Sequence, residues 1–305
     1  MTILVHIGLQ KTGTTFLQRH VFNQPNLGFE LIWGVRDGWA IEHFVVRDTL
    51  DFDPEAVRAD FESARGMSDG VVCSVISHED LSGYPVLGKY YSELAADRLA
   101  RTFPDAKILI GVREQVSMIL SLYGQYVRQG GVHGIRDFLD VSVDRPAFRT
   151  ICRPQHLDYH RIYRLYESRF GANNIAVLPI ELLTRDAAQY FGVLSEHCGV
   201  GEISVSAGPS NERSSRLAQR VELFLNRFIR HPARAAENWR ENRLAYRIKK
   251  KVVRLTNALP IGDKENDRDR RDLTEHLGGF YAHSNRQLAE LTGLDLGALG
   301  YRVED

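Results

Sequence analysis

The 305-residue chain is 43% hydrophobic and 26% charged, which excludes the disordered, collagen-like and disulfide-stapled classes and leaves enough apolar side chains for a full core. Its 39 Lys and Arg balance 39 Asp and Glu, so no global field draws it to nucleic acid, and electrostatic recognition has to come from local clusters. Cys73, Cys152 and Cys198 show no CxxC spacing, and the start "MTILVHIGLQKTG" lacks a basic region followed by a long apolar stretch, so a reducing cytoplasmic setting is expected. No apolar run approaches the ~18 residues that a membrane-crossing helix needs.

In chain order, the first element is a strand in "ILVHI", Ile3–Ile7, followed by the loop "GLQKTGTT" and a helix over Thr14–Phe22. A second strand is expected in "VVCSVIS", Val71–Ser77, then a helix over Lys89–Thr102, a third strand in "KILIGV", Lys107–Val112, and a helix over Gln115–Arg128. A further helix over Gln155–Arg169 precedes a fourth strand in "NIAVLPI", Asn174–Ile180. These strands are short apolar runs, as in a parallel sheet covered on both faces, and "RTFPDAK" and "SRFGANN" supply helix stops built on Pro and Gly. Strands alternating with helices predict a layered α/β fold with a central, mainly parallel sheet. After about residue 210 the strand signal gives way to charged helical sequence, broken near "NALPIGDKEND", with a last helix from about Arg270 to Leu291. The expected organisation is an α/β core, 1–210, and a helical portion packed on it, 211–305.

Chemistry concentrates at the strand ends. The first strand runs directly into Gly8–Thr15 and then a helix start, an order that turns backbone N–H groups toward an anion. Gly8 and Gly13 match the glycines of the nucleotide-hydrolase pattern GxxxxGK[ST], but Thr14 occupies the lysine position and the lysine, Lys11, lies earlier. Arg113 ends the third strand, with Ser121 eight residues on in the following helix; a planar guanidinium fork and a hydroxyl both suit phosphate oxygens. The second strand ends in "SHEDLSGYP", which offers His78, Glu79 and Asp80. While strand geometry lasts, His78 and Glu79 point to opposite faces, so only one of them is expected to act as a base. In open α/β sheets ligands bind outside the carboxyl ends of the strands, where all three segments fall.

The loop, with its internal lysine and "TGTT", resembles the 5′-phosphosulfate loop of sulfotransferases that use 3′-phosphoadenosine 5′-phosphosulfate (PAPS). The resemblance runs over residues 3–200, with specific motifs at 8–15 and 113–121. It implies a P-loop-like three-layer fold. It also implies that Gly8, Gln10, Lys11, Thr12, Gly13, Thr14 and Thr15 hold the 5′-phosphate, that Arg113 and Ser121 hold the 3′-phosphate, and that Lys11 neutralises the departing bridging oxygen. The implied reaction is a metal-free in-line transfer of a sulfuryl group from PAPS to a hydroxyl or amine, leaving adenosine 3′,5′-bisphosphate. Glu79 followed five residues later by Tyr84 is similar to the glucosamine-modifying heparan sulfotransferases. That favours Glu79 over His78 as the base, and a carbohydrate or glycolipid as the acceptor, although Asp80 stands where those enzymes usually carry lysine. "GPSNERSS", Gly208–Ser215, resembles a late segment of many bacterial sulfotransferases and makes Arg213 a further cosubstrate contact.

Other features have plainer readings. His156 and His160 stand four apart but lack the glutamate of HExxH and a third ligand, so no metal site is expected. Tyr159, Tyr163 and Tyr166 have helical spacing and read as core. Between Arg213 and Arg254, thirteen Lys or Arg stand against three Glu, with "RIKKK" and Trp239 inside the run; it reads as a solvated helix face or as a peripheral contact for an anionic membrane or polysaccharide. Acceptor contacts are expected in Gly28–Asp60, which holds Trp33, Trp39, His43 and Phe44. Two rival functions remain at this level. A P-loop kinase or nucleotide hydrolase would need a lysine beside Thr14 and Thr15, and a non-catalytic binder of acidic polymers would rest on the basic run alone.

Overall fold

The computed structural model of the chain describes residues 1–35, 38–66, 70–139, 151–205, 215–229, 243–258 and 263–304. Five strands, β1 (Thr2–His6), β2 (Phe29–Leu31), β3 (Cys73–Ser77), β4 (Lys107–Val112) and β5 (Ile175–Pro179), form one sheet in the order β2-β3-β1-β4-β5, with every pairing parallel. Four coincide with the expected strands. The fifth, β2, is a three-residue edge strand whose sequence, Phe-Glu-Leu, is too short to display a period. In the centre, His6 of β1 lies level with Ser77 of β3 and Leu109 of β4. The strand order reverses about β1, which puts the crevice of the sheet at the carboxyl ends of β1, β3 and β4.

The helices are α1 (Thr14–Leu17), α2 (Trp39–Ile41), α3 (Pro54–Ala64), α4 (Ser92–Thr102), α5 (Gln115–Arg128), α6 (Ile135–Leu139), α7 (Tyr159–Phe170), α8 (Ile180–Arg185), α9 (Ala187–Cys198), α10 (Arg216–Leu225), α11 (Arg243–Asn257) and α12 (Asp263–Thr292). Side-chain alternation along the strands serves two cores. Val5, Ile76, Ile108 and Ile110 pack with Phe61 of α3, Leu99 of α4, Leu122 of α5, Tyr166 of α7 and Leu277 of α12. Leu4, Val75, Leu109 and Leu178 pack on the other face with Leu17 of α1, Leu182 of α8 and Leu194 of α9. The result is a three-layer α/β fold with apolar residues buried on both sides of the sheet. Among the described residues no helix is long and apolar enough to cross a membrane. All three cysteines are buried and free.

Helix starts follow from short polar side chains. Asp53 accepts from the backbone N–H groups of Glu55 and Ala56 with Pro54 at the first helical position of α3, where a missing N–H costs nothing. Glu114 caps α5 through both oxygens, at 2.8 Å to Val116 N and 2.9 Å to Ser117 N, so the helix begins immediately after Arg113 and spans the expected residues. The helix expected over Gln155–Arg169 is instead two pieces. A 3-10 turn, Pro154–Leu157, ends at Asp158, whose carboxylate caps α7, so His156 and His160 do not share an α-helical face. Among the described residues no group of three or more His, Cys, Asp or Glu is placed to hold a metal ion. The last helix starts earlier than expected, at Asp263, and is tied to α5 by reciprocal amide bonds between Asn285 and Gln115 and by Arg270 bonding Glu114 and Ser117.

His6 is fully buried at the end of β1, and burial lowers its pKa from 6.5 to about 3. Because the unfolded chain takes up this proton near pH 6.5 and the folded chain does not, stability falls as pH drops from 6.5 toward 3. For this one group the slope approaches about 1.4 kcal/mol per pH unit. Urea denaturation at pH 7 and pH 5 is expected to show a loss that His6→Asn diminishes by about one proton's worth; identical pH dependence in the variant would remove His6 from the account.

Candidate functional site

The site is built around the segment that leaves β1. Ile7 N donates to Leu109 O at 3.1 Å and Leu9 N to Gly111 O at 3.2 Å, so the chain stays paired to β4 as it leaves the sheet. It then turns sharply: Lys11 has φ 71° and Gly13 φ 84°, conformations that cost a residue with a Cβ about 1–3 kcal/mol. Gly13 relieves that cost at its own position, whereas Lys11 bears it. A Cβ at Gly8 would stand 2.4 Å from His6 Nε2, so only glycine lets the loop pass over the buried imidazole. Leu17 N donates to Gly13 O and opens α1, which continues as a π-helical turn over Gln18–Phe22; such turns are frequent at functional sites.

Side chains beneath the loop fix it to β3. Buried Gln10 reaches Gly83 O at 2.6 Å, Asp80 Oδ1 at 3.0 Å and Glu79 O at 3.3 Å through Nε2. Thus Gln10 and Asp80 clamp the loop to the segment after β3. Thr12 is also inward, its hydroxyl donating to Leu9 O at 2.6 Å. Gln18 Nε2 donates to Ser77 O at 3.0 Å, and Ser77 Oγ lies 2.8 Å from His6 Nδ1. Three polar atoms of this region are buried without a partner: His6 Nε2, Gln10 Oε1 and Thr14 Oγ1. An unsatisfied buried hydroxyl at the start of α1 is a position at which a ligand oxygen would complete the hydrogen bonding.

Lys11, His78 and Glu79 line one cavity of about 370 Å³ together with Gln18, Tyr84, Gln125, Arg128 and Gln129. The expectation that His78 and Glu79 face opposite ways fails because strand geometry ends at Ser77. A 3-10 turn begins at Glu79, and His78 caps it by accepting Asp80 N–H on Nδ1 at 3.1 Å. In that arrangement a neutral His78 ring carries its proton on Nε2, which is then a donor. Tyr84 OH accepts from Gln125 Nε2 at 3.0 Å and also from Gln129 Nε2. Arg113 Nη1 donates to Lys11 O at 3.3 Å, and Tyr159 OH donates to Arg113 O at 2.6 Å, so the guanidinium sits against the loop at its strained residue.

Of the other expected contacts, Thr15 is half-buried at the start of α1 and Ser121 is half-buried on α5. Arg213 and Trp239 lie outside the described residues. Gln18, Gln125, Arg128 and Gln129 belong to no motif of the sequence. Gln125, Arg128 and the capping Gln129 follow Ser121 at helical spacing, a polar stripe at the end of a helix otherwise largely buried. Acceptor contacts were expected in Gly28–Asp60; there Trp33 and His43 pack ring against ring at 5.1 Å, and His43 Nε2 lies 3.0 Å from Asp60 Oδ2. None of these residues lines the cavity.

No protein-family model matches the chain, and no curated protein matches it. Among solved structures it is similar to the crystal structure of a sulfotransferase from Alicyclobacillus acidocaldarius, with a TM-score of 0.58 at 19% sequence identity over 98% of this chain and 98% of that one. At that identity the likeness is one of fold.

Proposed function

We propose that the chain is a sulfotransferase that moves a sulfuryl group from PAPS to a hydroxyl or amine of a polar acceptor. The observation that carries this reading is the lining of one cavity by a lysine from the loop after β1 and a carboxylate from the turn after β3. The likeness in fold to a bacterial sulfotransferase supports it, as does the partnerless Thr14 hydroxyl at the helix start. PAPS supplies an activated sulfuryl group. The Gly8–Thr15 loop holds its 5′-phosphate, with Thr14 completing its hydrogen bonding there, and Arg113 with Ser121 takes the 3′-phosphate.

Glu79 accepts the acceptor's proton as the new O–S or N–S bond forms. As the S–O bond to the 5′-phosphate breaks, the Lys11 ammonium balances the charge growing on the departing oxygen. His78 is the weaker choice of base, because its Nδ1 lone pair is used by Asp80 N–H. Tyr84, Gln125, Arg128 and Gln129 give the cavity hydrogen-bonding groups suited to a hydroxylated acceptor such as a carbohydrate or the headgroup of a glycolipid.

The reading is tested by incubating the protein with PAPS and a panel of amino sugars, oligosaccharides and glycolipids. Acceptor-dependent release of adenosine 3′,5′-bisphosphate that persists in a chelator is expected. Turnover of ATP with magnesium and none of PAPS would contradict it. The 3′-phosphate assignment makes a narrower prediction. Arg113→Ala is expected to weaken adenosine 3′,5′-bisphosphate by about ten- to hundredfold, the value of one charge-assisted contact, and to affect adenosine 5′-phosphate far less. Equal losses for the two ligands would reduce Arg113 to a support for the Lys11 carbonyl.

A further inference from the structure

We propose that the α10–α11 pair docks the protein on the surface of an anionic lipid bilayer, its apolar stripe entering the headgroup region and its basic side chains meeting lipid phosphates. The inference is independent of the sulfotransferase reading and rests on how α11 distributes its side chains. At 100° per residue, three sectors succeed one another around the helix. Ala245, Lys249, Val253 and Thr256 form the inward sector. Arg247, Lys250, Lys251 and Arg254 form an exposed basic sector, and α11 contains no Asp or Glu. Between these two, Leu244, Ile248, Val252 and Leu255 form an apolar stripe about 80° wide, with Leu244, Ile248 and Leu255 between 55% and 71% exposed.

The neighbouring helix and the turn after it expose the same two kinds of side chain. Phe224 and Phe228, their rings 5.2 Å apart, are both more than half exposed, and Arg220 and Arg227 beside them are exposed. The one acid described on α10, Glu222, is turned inward and paired with buried Lys249 at 3.4 Å, and Lys249 also bonds Asn226. That inner pair holds the two helices together and leaves Arg247, Lys250, Lys251 and Arg254 of α11 facing solvent. Asn226 Nδ2 in turn donates to Val127 O and Gly131 O at 2.8 and 2.7 Å. The pair is therefore fixed to the end of α5 whose Arg128 and Gln129 line the cavity.

Charge and apolarity together select the occupant. A low-hydropathy helix with a strong apolar stripe beside a cationic face is the pattern of helices that lie in a bilayer surface. A polysaccharide would satisfy the basic sector and leave the stripe in water. A second copy would cover the stripe and bring two cationic faces together.

The test uses the full chain with sedimenting vesicles of phosphatidylcholine alone and of equimolar phosphatidylcholine and phosphatidylglycerol. Binding to the second and little to the first is expected. Two variants, Leu244→Gln/Ile248→Gln/Leu255→Gln and Lys250→Gln/Lys251→Gln/Arg254→Gln, are each expected to lower the partition at least about tenfold. All six positions are exposed, and unchanged thermal melting establishes that the variants are folded. Equal binding to both vesicles, or full binding by the stripe variant, overturns the proposal. Absence of vesicle binding also overturns it, with heparin retention then assigning the face to a polysaccharide and a concentration-dependent dimer assigning it to a second copy.

Discussion

Glu79→Gln is expected to lower the single-turnover rate of sulfuryl transfer by about 10²–10⁴-fold, the usual contribution of a general base, while leaving the affinity for adenosine 3′,5′-bisphosphate unchanged. The amide keeps the size and the hydrogen-bonding reach of the side chain but cannot take a proton at neutral pH. The comparison that gives this result meaning is His78→Asn. His78 caps the 3-10 turn that carries Glu79, and Asn is among the best capping side chains, so the turn is retained while the imidazole is removed. That variant is expected to keep most of the activity. The opposite pattern, an active Glu79→Gln and an inactive His78→Asn, would transfer the proton to the histidine and require Nδ1 to release Asp80 N–H.

The second large effect is at Lys11, where stability and activity are expected to move apart. The residue adopts φ 71°, and glycine is the residue that adopts this conformation without strain. Lys11→Gly is therefore expected to melt no lower than the parent protein, whereas its single-turnover rate falls by about 10²–10³-fold through loss of charge at the departing oxygen. Lys11→Ala keeps the backbone strain and loses the same rate. Stopped single-turnover measurements with saturating PAPS separate this from weakened binding. A Lys11→Gly variant with the parental rate would show that the lysine is an incidental resident of the turn.

Much of the fold is legible in the sequence because its signals are local. Each of the four longer strands is a short apolar run whose period is hidden by burial on both faces. Helix α5 spans the same residues that its apolar spacing marks, Gln115–Arg128. The gaps have physical causes. Strand β2 gains its place by pairing Phe29–Leu31 with Cys73–Val75, a tertiary contact that three residues cannot announce. The broken helix near His156 depends on Asp158 capping α7, where periodicity alone runs on without interruption.

The site divides in the same way. Gly8, Lys11, Gly13 and Arg113 were legible because strand, loop and helix start are contiguous and fix where such side chains sit. The joint exposure of His78 and Glu79 to one cavity was not, since it depends on the strand ending at Ser77. Gln10 and Thr12 look like ligand contacts in the motif, yet in the fold their donors serve the loop itself. The cavity side of α5 is a polar stripe that helical spacing displays only once one knows which face meets the loop.

Whether the crevice at the end of β1 holds a 3′,5′-bisphosphorylated adenosine is read most directly by calorimetric titration. The ligands are adenosine 3′,5′-bisphosphate, adenosine 5′-phosphate and ATP, each with and without magnesium. Tight binding of the bisphosphate, indifferent to magnesium and about tenfold or more above that of adenosine 5′-phosphate, is expected. Preference for ATP with magnesium would contradict it and make the Gly8–Thr15 loop the phosphate cradle of a kinase-like enzyme.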